Sequence, residues 1–589
     1  MTPRCEYPRP DFERDNWLSL NGEWAFSIGQ KTYDRTIVVP FACETALSGI
    51  GARGFHRQVF YRRSVILPET MHHKRIILHF GAVDYLCHVW VNGQFIQSHT
   101  GGQTAFSMEI THAICPEEPF VIEVEAQDDP FDMEMPRGKQ FWEERPRSIF
   151  YDRTTGIWQS VWLEAGEPLH LTRCLITPLV DERAVRFEFE LSQPGPCELE
   201  TELYFEKRPV TTVRVKCMAD SGSFTVELNQ TALGEWNFRE CLCWTPENPR
   251  LFHVTYRLYQ DGGECDCVRS YFGMRKVSIE NGVFMLNNVP YYQKLVLDQG
   301  YWPESLLTAP DDAAFVRDIE LTKAMGFNGV RKHQKVEDPR YLYHADRLGL
   351  LVWGEIGASY VYSRRAAQRL YGEWQQAVLD QYNHPCIVAW TPLNESWGVQ
   401  EIGHSVSQQA HAQALYHLTR SLDATRPVIS NDGWEHVCSD LLTIHDYTSN
   451  GQTLSSHFAC MSSVLRLELL AARYRNMEQI LMLHPGKHSL YAQGFSYQGE
   501  PVLVSEYGGI KYAPNRPSDS SWGYCETADG TQFEAKFGEL TGALLASPHV
   551  QGYCYTQLTD VGTEKNGLLT ENREPKIPLQ RLRILNDGK

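Results

Sequence analysis

The stretch Ile387-Val388-Ala389-Trp390-Thr391-Pro392-Leu393-Asn394-Glu395-Ser396-Trp397 decides the fold, because an apolar run stops at an amide, a carboxylate and an indole. A buried strand that ends in such groups presents them to a site and not to a packed interior. A second run has the same form: Pro501-Val502-Leu503-Val504-Ser505-Glu506-Tyr507-Gly508-Gly509 is a short strand, a carboxylate at its carboxyl end, and a Gly-Gly turn. Two carboxylates so placed suggest a paired acid and nucleophile.

Outward from these runs, short apolar segments alternate with helical ones from about residue 277. Asp311 to Met325 is amphipathic with an acidic start and leads into Gly329-Val330-Arg331; Pro339 to Leu348 is helical and precedes Leu350–Glu355. Val428-Ile429-Ser430, Leu442-Thr443-Ile444, Val502-Leu503-Val504 and Val550–Tyr555 continue the series to about eight strands. That is the count of a (β/α)8 TIM barrel, expected over 277–589, with Glu395 ending the fourth strand and Glu506 the seventh. The roughly 50 residues between the sixth and seventh strands exceed what a barrel loop needs, so an extended loop is expected to shape the site.

Upstream the periodicity is two. Gly22–Ile28, Tyr61–Leu67, His88–Val91 with its Asn92-Gly93 turn, and Trp158–Glu164 predict a β-sandwich over 1–168. Ala184–Leu191 and Phe224–Leu228, with Pro194-Gly195-Pro196 as an internal turn, predict an immunoglobulin-like sandwich over 169–276. The chain of 589 residues therefore reads as a multidomain β plus α/β protein.

Composition narrows the partners. A net charge of −18, from 55 basic and 73 acidic residues, disfavours a polyanion, so no nucleic acid is expected. No apolar leader follows Met1 and no run of about 18 apolar residues could span a bilayer, so the expected location is the cytoplasm, away from the membrane. The 16 cysteines include no Cys-x-x-Cys; Cys241/Cys243 and Cys265/Cys267 have strand spacing and read as small, reduced hydrophobes on one face of a sheet.

Polar residues at the carboxyl ends of barrel strands are the candidates for chemistry. They are Asp298, Arg331, His333, Glu355, Asn394, Glu395, Asn431, Asp432, His445, Asp446, Tyr447, Glu506 and Gln557, with Trp397 as a sugar platform. Acetal cleavage needs a proton for the leaving oxygen and a carboxylate facing an oxocarbenium-like centre. Glu395 is assigned as acid/base, beside an Asn394 amide placed to bind a sugar 2-hydroxyl, and Glu506 as nucleophile. Arg331 and Tyr447 are expected to hold Glu506 ionised, whereas low-dielectric surroundings and the nearby anion are expected to keep Glu395 protonated. Each residue has a bland reading too: His333 and His445 as satisfied core histidines, Arg331 as an ion-pair partner, Asp298 as a turn residue, Trp390 and Trp353 as core. No tight ligand motif calls for a metal, and no cofactor is needed.

Together these residues resemble glycoside hydrolase family 2, the family of β-galactosidases, β-glucuronidases and β-mannosidases. The resemblance runs through Leu20-Asn21-Gly22-Glu23-Trp24, Val91-Asn92-Gly93, Gly156-Ile157-Trp158-Gln159, Phe327–Arg331, Gly349–Glu355, Asn394-Glu395-Ser396 and Ser505-Glu506-Tyr507-Gly508. It implies a jelly-roll sugar-binding-type domain, an immunoglobulin-like domain and a catalytic barrel, acting with retention through a covalent glycosyl-enzyme. Two departures bear on the sugar. Arg331-Lys332-His333-Gln334-Lys335-Val336 stands where many members read Arg-x-x-His-Tyr-Pro, and Glu564-Lys565-Asn566-Gly567-Leu568 lacks the order of the Asn-x-Lys clamp of β-glucuronidases. The expected activity is thus an exo-acting β-galactosidase working on a glycoside or oligosaccharide. β-Glucuronidase, β-mannosidase and arabinofuranoside or galactofuranoside hydrolysis stay open, as do a non-catalytic carbohydrate-binding role and homo-oligomer formation. Lys139–Trp142 and Tyr151–Arg153 form a polar-aromatic loop with the reach to meet the barrel mouth.

Overall fold

The computed structural model describes residues 2–230, 233, 237–459, 485–513 and 521–588. Three apolar cores organise it. The first runs from Leu20 to Ala165 between a six-stranded and a four-stranded sheet. The second runs from Leu169 to Met274 between sheets of three and four strands, and borrows Phe12 from the amino-terminal segment. The third extends from Val277 to Leu582 and takes in Trp244. Strict alternation of burial along Phe120–Gln127 shows why a period-two sequence forms the first sandwich: one face packs inward, the other meets water.

The third core is the barrel. Its strands are Gln293–Asp298, Gly329–Lys332, Leu351–Glu355, Ile387–Thr391, Leu442–Asp446, Val502–Gly508 and Val550–Thr556. They pair in parallel in the order fourth, third, second, first, eighth, seventh, sixth. Most are buried along their whole length, as expected when helices cover one face and neighbouring strands fill the other. The helices Asp312–Ala324 and Arg364–Asp380 start where Asp311 and Ser363 accept a backbone N–H of the first turn. Pro339–Leu348 starts at Asp338 with Pro at its first position and ends at Gly349, in the left-handed region.

The fifth strand departs from expectation. Val428-Ile429-Ser430 forms no ladder, and the 428–432 segment joins the fourth strand only through the parallel bridges Trp390 to Val428 and Asn394 to Asp432. Ile429 and Asp432 N–H still reach the carbonyls of Trp390 and Leu393, in and just beyond the fourth strand, but on the side of the sixth strand side chains take the donors: Val428 N–H goes to Asp440 and Gly433 N–H to the Thr443 hydroxyl. The cysteine reading also needs correction. Cys241 lies in the short helix Phe238–Leu242, so only Cys265 and Cys267, in the strand Gly263–Phe272, share a sheet face. All cysteines among the described residues are free thiols. Part of the long connection before the seventh strand, 460–484, falls outside the described residues.

Candidate active site

Both carboxylates stand at the carboxyl ends of barrel strands, and local geometry aims them at one another. A bulge between Ile444 and His445 shifts the sixth strand against the seventh, which sets His445 beside Glu506 in register. Glu395 and Ser396 adopt left-handed backbone, with φ of 50° and 57°. That conformation costs of order 1–3 kcal/mol at a non-glycine residue and is held here by Glu395 N–H to the Asp432 carbonyl and Ser396 N–H to Asn431 Oδ1. One oxygen of Glu395, one oxygen of Glu506 and one nitrogen of His445 all lie within 4.8 Å of each other.

Arg331 is the hub. Fully buried, it donates from Nε to Glu355 (2.8 Å), from Nη1 to Glu506 (2.9 Å) and to Asp432, and from Nη2 to Asn394 Oδ1 (2.5 Å). Tyr447 donates its hydroxyl to the other oxygen of Glu506 and sits 3.1 Å from Thr556 Oγ1. Its ring stacks on Tyr524, 3.3 Å between centroids. Gly509 is needed for that stack, since a Cβ there would fall 2.3 Å from the Tyr524 ring. Asn394 has its carbonyl engaged by Arg331 while its buried Nδ2 has no partner.

His445 changes the expected electrostatics. Its Nδ1 lies 2.7 Å from Glu395 and its Nε2 2.8 Å from Asp432, so both ring nitrogens face carboxylates. Burial disfavours its charge, but Glu506, Asp432 and Glu395 outweigh burial and push its pKa up to about 10. The resulting imidazolium acts back on Glu395: burial raises that carboxyl, yet the hydrogen bond and charge of His445 bring it below its ordinary value. Glu395 is thus not held protonated by a low-dielectric pocket, as the sequence suggested. His445 therefore competes with Glu395 for the proton of the pair.

The remaining candidates divide. Glu355 is buried and braces Arg331, with Gln334 N–H on its other oxygen. His333 stands 3.0 Å from Glu355, and burial together with Lys139 and Arg331 keeps it neutral. Gln557, at the end of the eighth strand, accepts from Gln299 and leaves a buried Nε2 without a partner. Asp298 is not brought to the pair: Lys332 and Gly300 N–H occupy its oxygens, which is the turn reading. Asp446 is likewise engaged, by His457 and Thr448 N–H. Trp390 and Trp353 are core residues whose indole N–H groups reach Asp423 and Gln293.

Trp397 lies at the mouth, half-buried, in a cluster with Phe150 (5.5 Å) and Tyr360 (5.7 Å). Here the loop of the first sandwich arrives. Arg137 and Gly138 N–H both reach the Ala358 carbonyl, Tyr151 donates to Glu564, and Lys139 Nζ sits 5.0 Å from the Trp397 ring centre. Trp434 and His488 complete the other side, stacked 3.9 Å apart, with Trp434 edge-on to His445 at 5.6 Å. Sequence reasoning singled out neither, because both lie in connections with no periodic signal and meet only in three dimensions.

Comparison with known proteins agrees with this architecture. The profile for "Glycosyl hydrolases family 2, TIM barrel domain" matches residues 277–509, "Glycosyl hydrolases family 2" matches 169–275, and the family's "sugar binding domain" matches 30–129. A β-glucuronidase of Streptococcus agalactiae is 21% identical over 95% of this chain and 94% of its own length. A β-galactosidase of Thermoanaerobacter pseudethanolicus is 22% identical over 70% of this chain but 54% of its own. The chain spans about half or less of several other curated relatives it matches. A β-galacturonidase from Eisenbergiella tayi superposes with a TM-score of 0.74 at 19% identity, over 100% of this chain and 98% of that one, a likeness of fold alone. With all three profiles in order along one chain, on two sandwiches and a barrel, this protein belongs to glycoside hydrolase family 2.

Proposed function

We propose that the protein is a retaining exo-glycosidase that releases a terminal sugar through a covalent glycosyl-enzyme on Glu506. The observation that carries this is the closeness of the carboxylates, the facing oxygens of Glu395 and Glu506 lying within 4.8 Å of each other, which favours the nearer of the two spacings that glycosidase carboxyl groups adopt. Retaining pairs sit about 5–5.5 Å apart, whereas inverting pairs need roughly 6.5–9.5 Å to admit a water. Glu506, held by Arg331 and Tyr447, attacks the anomeric carbon. Glu395 passes the proton it shares with His445 to the leaving oxygen, then takes a proton from the water that frees the sugar. The unpartnered Nδ2 of Asn394 suits a 2-hydroxyl whose hydrogen bond strengthens as charge develops at the anomeric carbon.

For the sugar, a β-galactoside is the neutral candidate and a β-glucuronide the charged one, with galactosidases and glucuronidases both among the relatives. Whether its C6 carries a hydroxymethyl or a carboxylate turns on the charge lining the pocket. The test is turnover of nitrophenyl β-galactoside, β-glucuronide, β-mannoside, β-glucoside, α-arabinofuranoside and β-galactofuranoside by the protein and its Glu506→Gln variant. Turnover that vanishes in the variant supports the reading. Turnover that survives Glu506→Gln, or none on any sugar, overturns it in favour of another nucleophile or a binding-only role.

A further inference from the structure

We infer that Lys139, supplied by the first sandwich and not by the barrel, reads a carboxylate on the substrate, so that the preferred glycoside is a hexuronide. The inference rests on the glycosidase reading and names its substrate class. Lys139 is 7% exposed, yet no ion pair or hydrogen bond engages its ammonium among the described residues; its one partner is the face of Trp397. Its charge is felt by His333, Glu395 and Glu564, which places it over the site. Several other cations around the site among the described residues are committed. Arg331 serves Glu355, Glu506, Asp432 and Asn394, and His445 serves Glu395 and Asp432. Lys332 serves Asp298 and Glu337, Lys335 serves Glu337 and two carbonyls, and Lys565 serves Glu571.

The ammonium interacts at a distance with Glu395 and Glu564, but no hydrogen bond or ion pair joins it to either, which leaves it free to take a ligand carboxylate. Glu395 is drawn to His445, while Tyr151 and Asn566 occupy the two oxygens of Glu564. The position is also fixed rather than loose. Gly138, with φ of 61°, packs so closely that a Cβ would fall 2.4 Å from the Gln334 carbonyl, and Tyr151 N–H holds the Lys139 carbonyl. A preorganised cation facing an acid/base pair, with an indole beneath it, suits a planar anionic group on a sugar ring.

The test compares kcat/KM on nitrophenyl β-galacturonide and β-glucuronide with nitrophenyl β-galactoside, for the wild type, Lys139→Gln and Lys139→Arg. The expected result is a wild-type preference for one uronide of at least ten-fold. That preference should fall ten-fold or more in Lys139→Gln, be partly restored in Lys139→Arg, and weaken with rising salt. Equal losses on charged and neutral substrates would overturn the inference, leaving Lys139 as a residue that tunes Glu395. So would a wild-type preference for the galactoside or for a 6-sulfated galactoside. Calorimetric titration with free galacturonate and glucuronate against galactose, in the wild type and Lys139→Gln, reads the same discrimination without turnover. If uronate binding depends on Lys139 while hydrolysis is absent, the glycosidase reading fails and this inference stands. If neither uronate binds more tightly than galactose, the inference fails whatever the activity.

Discussion

Tyr447→Phe should slow the second half of the reaction and spare the first. The hydroxyl donates to the Glu506 oxygen that Arg331 does not contact, and it contacts Thr556. A hydrogen bond to an ionised group contributes about 1.5–3 kcal/mol, a factor of roughly 10 to 150 in rate if fully expressed. Its expression differs between the two steps. As Glu506 attacks, its charge disappears and the bond weakens, so losing Tyr447 does not slow the attack. As the glycosyl-enzyme breaks down, Glu506 leaves as a carboxylate and the bond strengthens. With about half of the charge returned in that transition state, kcat should fall roughly 4- to 12-fold while kcat/KM changes far less, so KM falls with kcat. Arg331 still donates to Glu506 in the variant, so the nucleophile keeps its orientation. Stopped-flow release of nitrophenol should show a burst equal to the enzyme concentration, and mass spectrometry should find the sugar on Glu506. If kcat and kcat/KM fall together without a burst, Tyr447 acts before the covalent intermediate and the reasoning is wrong.

Three further outcomes follow from the same geometry. In Glu395→Gln, glycosides with good leaving groups should retain far more activity than those with alkyl aglycones, and added azide should raise turnover by replacing the general-base water attack; similar losses across leaving groups would contradict an acid role. His445→Gln should move the alkaline limb of the kcat/KM profile to lower pH by at least one unit, because the pair loses the group that retains a proton up to about pH 10; an unshifted limb would place the proton elsewhere. The same shift has a stability sign. The folded pKa of His445 is raised, so its contribution is fully present below about 6.5 and is lost as pH rises through about 10. Wild-type stability in urea should therefore decline from pH 7 to 10 relative to His445→Gln, by up to ~1.4 kcal/mol per pH unit.

Strand-level features were legible because they rest on local pattern. Ile387–Thr391 and Val502–Gly508 are apolar runs too short to be helices, and polar groups at their ends can face only the barrel mouth. The pairing of Tyr447 with Glu506 followed from the adjoining ends of the sixth and seventh strands, whereas Arg331, on the second strand, reaches Glu506 across the barrel mouth. The protonation of Glu395 was not legible, because it depends on which carboxylates His445 touches, and a bulge of one residue sets that. Asp298 and Asp446 look the same in sequence as Glu506, each a carboxylate at a strand end. What separates them is a lysine one strand away and a histidine one helix away, neither of which has a fixed spacing.

Arg331 shows why the site costs stability and why that cost is tolerated. One buried guanidinium faces three carboxylates, and such networks gain little over an apolar core of equal volume, since desolvation offsets attraction. Their value is orientation: dipoles and charges already in place need not reorganise when charge shifts during reaction. Arg331→Lys would keep the charge but lose the planar fork that reaches Glu355, Glu506 and Asn394 at once. Its expected signature is a folded protein with a modestly lowered melting temperature and a kcat/KM reduced by two orders of magnitude or more. An Arg331→Lys enzyme within ten-fold of wild type would mean that charge alone suffices and that the fork is incidental.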